Sequence, residues 1–145
     1  MKSMLVFVIG AVIAVIPVAS FALDPRADLY GTTVTFKLKC KSGPCEVKGA
    51  TLEFINNGGG DDAPKSVLEF YLSNDTTLTT ETDTLLKRLS VGKLQDGQTG
   101  ARKLSGGTLK KAGAVSGQYI LCFLDAAETI TESGENNVFV SAPLP

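Results

Sequence analysis

The sequence contains no histidine and no tryptophan. Without histidine, the chain cannot form a histidine-based catalytic triad, a histidine-ligated metal centre or a histidine pH switch. No other nucleophile–base pair is apparent, and no tryptophan is present to stack on a sugar in a glycosidase cleft. With 14 basic and 15 acidic residues, the composition shows no nucleic-acid footprint. We therefore expect neither an enzyme nor a nucleic-acid-binding protein, and no catalytic residue is assigned.

Long apolar runs are absent beyond the first 22 residues. Lys2 provides a positive start, residues 4–16 are almost entirely apolar, and Ser20-Phe21-Ala22 places small residues at a cleavage site. This pattern predicts that residues 1–22 are a secretory signal peptide cleaved after Ala22; the alternative is a retained membrane anchor. We expect residues 23–145 to form a single secreted domain, periplasmic or extracellular, that meets the membrane only through the signal peptide.

Cysteine is scarce, and the count of three is odd. Cys40 and Cys45 flank a Lys-Ser-Gly-Pro spacer that could bring them together, and a Cys40–Cys45 disulfide is the pairing we favour. A Cys40–Cys122 bridge between sheets and three free thiols stay open as alternatives. Cys122 lies in an apolar run, where a buried, unreactive thiol is expected.

Helical periodicity is weak, whereas alternation of apolar and polar residues recurs along the chain. In the run 66–73, for example, Leu68, Phe70 and Leu72 alternate with more polar neighbours. The pattern predicts strands at 33–39, 47–56, 66–73, 85–91, 98–104, 119–125 and 138–140. Residues 109–115 are ambiguous. About seven short strands separated by turn signals indicate an all-β, Ig-like antiparallel β-sandwich.

Five apolar residues are predicted to face the core between the two sheets. They are Phe36, Phe54, Phe70, Leu121 and Phe123. The loops 57–62 and 74–83, rich in Gly, Asp and Thr, cannot contribute to that core. We expect them to carry any partner surface.

Three motifs together resemble the CARDB family, the cell-adhesion-related domain of bacteria and archaea. They are Phe-Ile-Asn-Asn-Gly at 54–58, Phe-Tyr-Leu-Ser-Asn-Asp at 70–75 followed by Asp-Thr-Leu-Leu at 83–86, and Gly-Gln-Tyr at 117–119 followed by Asp125, Glu132, Glu135, Asn136 and Asn137. The resemblance covers roughly residues 30–142. It implies an Ig-like or fibronectin-like sandwich that is extracellular and non-catalytic.

Four acidic residues are weak candidates for calcium ligands, because carboxylate oxygens suit a hard cation. They are Asp75, Asp83, Glu132 and Glu135. The simpler interpretation is a solvated acidic rim, so no cofactor is expected.

Three further residues are predicted to have structural roles. Tyr119 lies where a tyrosine corner would be in a sandwich, with its hydroxyl bonded to nearby backbone. Asn136 and Asn137 are expected to satisfy backbone groups in the last turn, because Asx side chains mimic turns.

The sequence is compatible with two functions. The first is a binding or adhesion module for an unidentified protein or glycan at the cell surface. The second is a structural subunit whose edge strands pair between copies. Charged residues such as Lys37, Lys39, Lys87 and Arg88 argue against free edge pairing.

Overall fold

The computed structural model describes residues 26–40, 45–131 and 137–145, so the predicted signal peptide lies outside the described residues. The described elements are β1 (Leu29–Lys39), β2 (Glu46–Asn56), β3 (Ser66–Ser73), β4 (Thr84–Val91), β5 (Thr99–Ser105), α1 (Gly106–Lys111), β6 (Tyr119–Leu124) and β7 (Val138–Val140). Within these ranges, no helix is long and apolar enough to cross a lipid bilayer.

The strands form two antiparallel sheets. One sheet has the order β1-β2-β5 and the other has the order β4-β3-β6-β7. The chain crosses between the sheets after β2, β4 and β5, so sequence neighbours are divided between two packed layers. The predicted all-β sandwich of about seven strands is confirmed.

The β1–β2 hairpin is the longest antiparallel pairing. β1 begins at Leu29 rather than at residue 33, because Leu29 pairs with Asn56 at the far end of β2. At the turn end of the hairpin, Cys40 and Cys45 form a disulfide with their Cα atoms 4.2 Å apart. The favoured pairing is confirmed, and Cys122 is free and buried.

The core lies between the inner faces of the two sheets. Phe54 on β2 and Phe70 on β3 are its largest members, with exposed fractions of 1% and 0%. Phe36 on β1 is half-buried and packs against the same cluster. For these three residues, the predicted inward orientation is confirmed.

For β6, the predicted facing is wrong by one residue. Ile120, Cys122 and Leu124 belong to the core cluster, whereas Leu121 and Phe123 do not. Because alternate residues of a strand point to opposite faces, these two lie on the outer face of the four-stranded sheet. The error has a physical cause. Because β6 is apolar on both faces, its sequence does not indicate which alternate residues face the core.

The short helix α1 was not predicted. Ser105 caps it, with its Oγ accepting a hydrogen bond from the Thr108 backbone N–H at 3.3 Å. Leu109 is the one buried residue of the helix and joins the core cluster. A helix of six residues is too short to display a periodic pattern, which is why sequence alone left the region unassigned.

Candidate binding surface

The outer face of the β4-β3-β6-β7 sheet is built from two adjacent rows of side chains, which the strand register defines. In the first row, Arg88, Glu69, Phe123 and Val138 lie side by side across the four strands. In the second row, Leu85, Tyr71, Leu121 and Val140 do the same. Directly opposite residues of an antiparallel pair share a face, so these eight form one surface, here called the outer apolar face.

This face exposes apolar side chains where an antiparallel sheet ordinarily presents polar ones. Leu85 is 51% exposed, Val138 is 38% exposed and Val140 is 39% exposed. Leu121 is fully buried and Phe123 is half-buried between them. Exposed apolar residues therefore lie at both edges of this face, with Leu85 on β4 and Val138 and Val140 on β7, and the buried or half-buried side chains of β3 and β6 connect them. An apolar surface of this extent is typical of an interaction site.

A hydrogen-bonded ion pair lies in the middle of this apolar surface. Glu69 is buried, with 5% of its surface exposed. Its Oε2 accepts a hydrogen bond from the Tyr71 hydroxyl at 2.6 Å, and its Oε1 accepts one from Arg88 Nε at 2.5 Å. Arg88 also approaches Oε1 through its second guanidinium nitrogen, at 2.5 Å. Both carboxylate oxygens are thus satisfied and the pair is electrically neutral, which is what burial of a charge requires.

The environment of Tyr71 favours its protonated form. Burial of the phenol, followed by its hydrogen bond to Glu69 and the negative charge of that carboxylate, raises the pKa of Tyr71 to about 12. The hydroxyl therefore remains a hydrogen-bond donor to Glu69 throughout the physiological pH range.

The two loops expected to carry a partner surface do not lie together. Loop 57–62 precedes β3 and loop 74–83 follows it, so the two are at opposite ends of that strand. They cannot contribute to one compact surface.

Loop 57–62 is organised by Asn56, which is fully buried. Its Nδ2 donates to the carbonyl of Asp61 at 2.9 Å and its Oδ1 accepts from the backbone N–H of Asp28 at 3.1 Å. Gly58 follows and lies against the backbone of Arg26, where a Cβ atom would collide. Asn56 and Gly58 are the two specified positions of the Asn-x-Gly motif, so the motif is explained by backbone organisation.

In loop 74–83, two aspartate side chains likewise accept hydrogen bonds from backbone groups of their own loop. Asp75 Oδ1 accepts the Thr77 backbone N–H at 2.8 Å, and Asp83 Oδ2 accepts the Thr79 backbone N–H at 2.8 Å. Glu132 and Glu135, the other calcium candidates, lie outside the described residues. Among the described residues, no three acidic or cysteine side chains come together as a metal-ligand group.

Two of the predicted structural residues can be placed. Tyr119 is the first residue of β6 and is half-buried, and its hydroxyl makes no hydrogen bond to a described residue. The carbonyl of Asn137 accepts the backbone N–H of Leu124 at 2.7 Å, while its buried side-chain Oδ1 has no partner among the described residues. The tyrosine corner and the side-chain role of Asn137 stay predictions, and Asn136 lies outside the described residues.

Sequence reasoning assigned no role to two buried polar residues of the motifs, Asn56 and Asp125. Asp125 is 1% exposed. It accepts hydrogen bonds from the Thr129 hydroxyl at 2.7 Å and the Ile130 backbone N–H at 2.8 Å, which closes the turn after β6. Their position directly at a strand end, where Asx side chains organise turns, is the signal that could have identified them.

The two packed antiparallel sheets define the protein as an Ig-like sandwich. Neither a scan of protein-family profiles nor a search of curated sequences finds a match to this chain. Among solved structures, the chain is similar to the CARDB domain of a Pyrococcus furiosus protein, solved in complex with di-metal ions. The TM-score is 0.50 at 18% identity, covering 81% of this chain and 94% of that one. This likeness shows the fold alone, and it confirms the predicted resemblance to a CARDB domain at that level.

Two glucosidases also contain a similar region. A β-D-glucoside glucohydrolase from Trichoderma reesei has a TM-score of 0.47 at 15% identity, and a β-glucosidase from Kluyveromyces marxianus has one of 0.40 at 12% identity. Each comparison covers 81% of this chain but only 18% and 14% of the respective enzyme. At these TM-scores, the similarity to the two enzymes says nothing about the activity of this protein.

Proposed function

We propose that this protein is an exported, non-catalytic binding module that docks on another protein through the outer apolar face. The single observation that supports this most strongly is that apolar side chains cross the whole face, from exposed Leu85 on β4 to exposed Val138 and Val140 on β7, with a neutral ion pair among them. Exposed apolar surface is costly in water, and a contiguous patch is typical of a protein interface.

The chemistry of the face favours a partner with an apolar, uncharged surface. The charge of Glu69 is balanced by Arg88, and the carboxylate oxygens are already occupied by Arg88 and Tyr71. A charged partner group would therefore gain no counter-ion at the centre of the face, and it would lose its hydration on docking.

The proposal of export rests on the predicted signal peptide, and the expectation of a surface or periplasmic module rests on the resemblance to CARDB domains. The likeness in fold to the Pyrococcus furiosus CARDB domain supports the module architecture. We propose that binding needs no resident cofactor, since Asp75 and Asp83 each serve a backbone N–H of their own loop.

Edge-strand assembly, the alternative function, has less support. The open edge of β4 is occupied in part by Arg102 of β5, whose Nε donates to the Ser90 carbonyl at 2.9 Å. The edge strand β1 carries exposed Lys37 and Lys39, and the edge strand β7 has only three residues.

The proposal can be tested by photo-crosslinking. The protein would carry a photo-crosslinking residue at position 85 and would be added to an envelope extract of its own host. The captured protein would be identified and purified, and its Kd would be measured for the wild type and for Leu85→Lys. We expect the substitution to weaken binding at least tenfold, since it places a charge in a contact that is desolvated on docking. The matched control is Val115→Lys, an equally drastic change at a residue that is 60% exposed and outside this face.

Substitutions in loop 74–83 test whether the partner binds there instead. If Asp75→Ala and Asp83→Ala weakened binding while Leu85→Lys did not, the partner surface would be the loop 74–83 and the proposal would be wrong. Equal losses in Leu85→Lys and Val115→Lys would also contradict it.

A further inference from the structure

A groove on the other sheet collects basic residues that are dispersed in the sequence. It encloses about 360 Å³ and crosses from the β1-β2-β5 sheet to β4. Its lysines come from four different strands: Lys37, Lys48, Lys87 and Lys103. The chain as a whole has a net charge of −1, so this concentration of positive charge is a product of the fold.

Three of these four lysines carry uncompensated charge. Lys48 pairs with Glu46 at 2.5 Å, whereas Lys37, Lys87 and Lys103 form no ion pair with a described residue. Two acidic residues are close to the groove. Glu46 is occupied by Lys48, and Glu53 lies on the same face of β2 as Thr51, diagonal to Lys103, without an ion pair to a described residue. The groove therefore retains a positive potential that an anionic ligand can neutralise.

The pKa of Glu46 is lowered by the lysines around it, in agreement with a positive potential near the groove. Its hydrogen bond and charge interaction with Lys48, together with the more distant charges of Lys110 and Lys39, hold the pKa of this carboxyl below its usual value. Two lysines outside the groove thus add to the positive potential at this end of the sheet.

The opposite end of the same sheet carries three aspartates, of which Asp62 pairs with Lys93 at 2.7 Å. β2 runs from the lysine-rich end to loop 57–62, which contains Asp61 and Asp62, and β5 begins after Asp96 and runs back towards Lys103. The charge of the molecule is therefore separated along its length. A polyanion would therefore be attracted more strongly to the lysine-rich end.

The floor of the groove combines backbone and hydroxyl groups with the apolar residues Ala50 and Leu104. Gly49 lies in it, and a Cβ atom there would come within 2.7 Å of the Leu104 carbonyl oxygen, so no side chain can fill this position without a shift. The hydroxyls of Thr51 and Ser105 line the same groove. Ammonium groups around hydroxyls and bare backbone suit a ligand that offers both negative charges and hydroxyl groups.

We propose that this groove binds an anionic polysaccharide, a chain of sugars bearing carboxylate or sulfate groups. Lysine provides mobile point charges rather than the fixed fork of arginine, which fits a polymer with repeating charges better than a single, geometrically defined anion. A single-stranded nucleic acid is disfavoured, because the groove is lined by no aromatic or arginine side chain on which bases could stack. Three of its four lysines are on the opposite sheet from the outer apolar face, and the fourth, Lys87 of β4, is opposite the core residue Phe70 rather than a residue of that face. The two sites therefore use different side chains.

The test uses immobilised heparin as the sulfated polymer and polygalacturonate as the carboxylated one, with neutral dextran as the blank. The purified protein would be measured at about 50 mM salt, where exposed charges are least screened, and over a salt series. The test variant is Lys37→Gln/Lys103→Gln. A first control, Lys65→Gln/Lys93→Gln, removes two positive charges from exposed positions outside the groove, of which Lys93 pairs with Asp62 at 2.7 Å. The matched comparison is therefore between the single variants Lys103→Gln and Lys65→Gln, because neither lysine forms an ion pair with a described residue.

We expect the wild type to bind at least one charged polymer, with affinity falling steeply as salt rises. The groove variant should bind at least tenfold more weakly, and the slope of log K against log salt should fall by about one unit per lysine removed. The control variant should bind within about twofold of the wild type, since its lysines lie outside the positive region. Leu85→Lys should leave polymer binding undiminished, so loss of the protein contact and loss of this site can be distinguished.

Three results would overturn the inference. Equal weakening in the groove and control variants would show that only total charge matters. No binding of either charged polymer by the wild type would show that the groove is not a polyanion site. Tighter binding of a single-stranded oligonucleotide than of both polysaccharides would assign the groove to nucleic acid instead.

Discussion

Glu69 is the residue that determines the polarity of the outer apolar face. A buried carboxylate without partners would be strongly destabilising, and here Tyr71 and Arg88 each supply a donor. Such a pair is not in itself a strong source of stability, because the desolvation of both groups offsets their attraction. Its effect is to place a satisfied polar group, without net charge, in the middle of an apolar surface.

The raised pKa of Tyr71 predicts a specific dependence of stability on pH. Its pKa is about 12 in the folded protein against an ordinary value of 10.0, with burial as the first cause and Glu69 as the second. Between pH 10 and 12 the unfolded chain loses this proton while the folded protein keeps it, so the free energy of unfolding falls as pH rises. A two-unit difference corresponds to a loss of about 2–3 kcal/mol.

Urea unfolding of the wild type and of Tyr71→Phe, over a series of pH values from neutral to 12, checks this. The variant should start less stable by about 1–3 kcal/mol, because Glu69 Oε2 loses its donor. It should then lose less stability than the wild type above pH 10. Cys122, whose burial also raises its pKa to about 12, contributes equally to both proteins and cancels in the difference. Parallel pH profiles would contradict the prediction.

At the scale of the element, β6 is the strand with two different apolar faces. Its inner face gives Ile120, Cys122 and Leu124 to the core, while Leu121 and Phe123 belong to the outer apolar face. A central strand covered on one side by the core and on the other by a docked partner would need this composition. The two faces therefore differ in what they stabilise, although the sequence does not distinguish them.

A pair of phenylalanine substitutions separates the two faces. Phe70→Ala removes a ring that is fully buried in the core and should cost about 3–5 kcal/mol in the free energy of unfolding. Phe123→Ala removes a half-buried ring from the outer face and should cost about 1–2 kcal/mol, since part of its area already meets water.

Urea denaturation measures the loss in the free energy of unfolding for both variants. The m-value, which is the slope of that free energy against urea concentration, should stay unchanged, because a change would mean that the unfolding transition itself had altered. Equal losses in the two variants would mean that Phe123 faces the core after all.

At the scale of the whole molecule, the two sheets share one core and neither has a separate one. Phe54 of one sheet and Phe70 of the other belong to the same cluster, together with Leu109 of α1. Neither sheet can lose its partner without exposing its inner face, so the domain should unfold in a single cooperative step.

Cys122 provides a probe of this cooperativity. Its side chain is 0% exposed in the centre of the core, and burial raises its pKa to about 12, so the native thiol should be inert to a thiol reagent. Its reactivity across a urea series should rise with the same midpoint as the loss of the far-ultraviolet β signal. A thiol that reacts well before the β signal is lost would show that the two sheets separate first.

The sequence by itself determined the class of fold and most of the strands. Where one face of a strand is polar, as in β1, and where turn residues bound a run, as around β3, period-two alternation predicts both the strand and its inward residues. The short Cys40–Cys45 spacing likewise made that disulfide the favoured pairing, because a turn-rich spacer brings the two residues together.

Only the tertiary structure decided which residues meet. The phase of β6 could not be predicted, because a strand that is apolar on both faces has no pattern from which to infer its orientation. The pairing of Glu69 with Arg88 depends on the β3–β4 register, and the lysine groove gathers residues from four strands in two sheets. The loops 57–62 and 74–83, both polar in sequence, lie at opposite ends of β3. Such juxtapositions depend on register and sheet packing between residues distant in the chain, which local pattern does not encode.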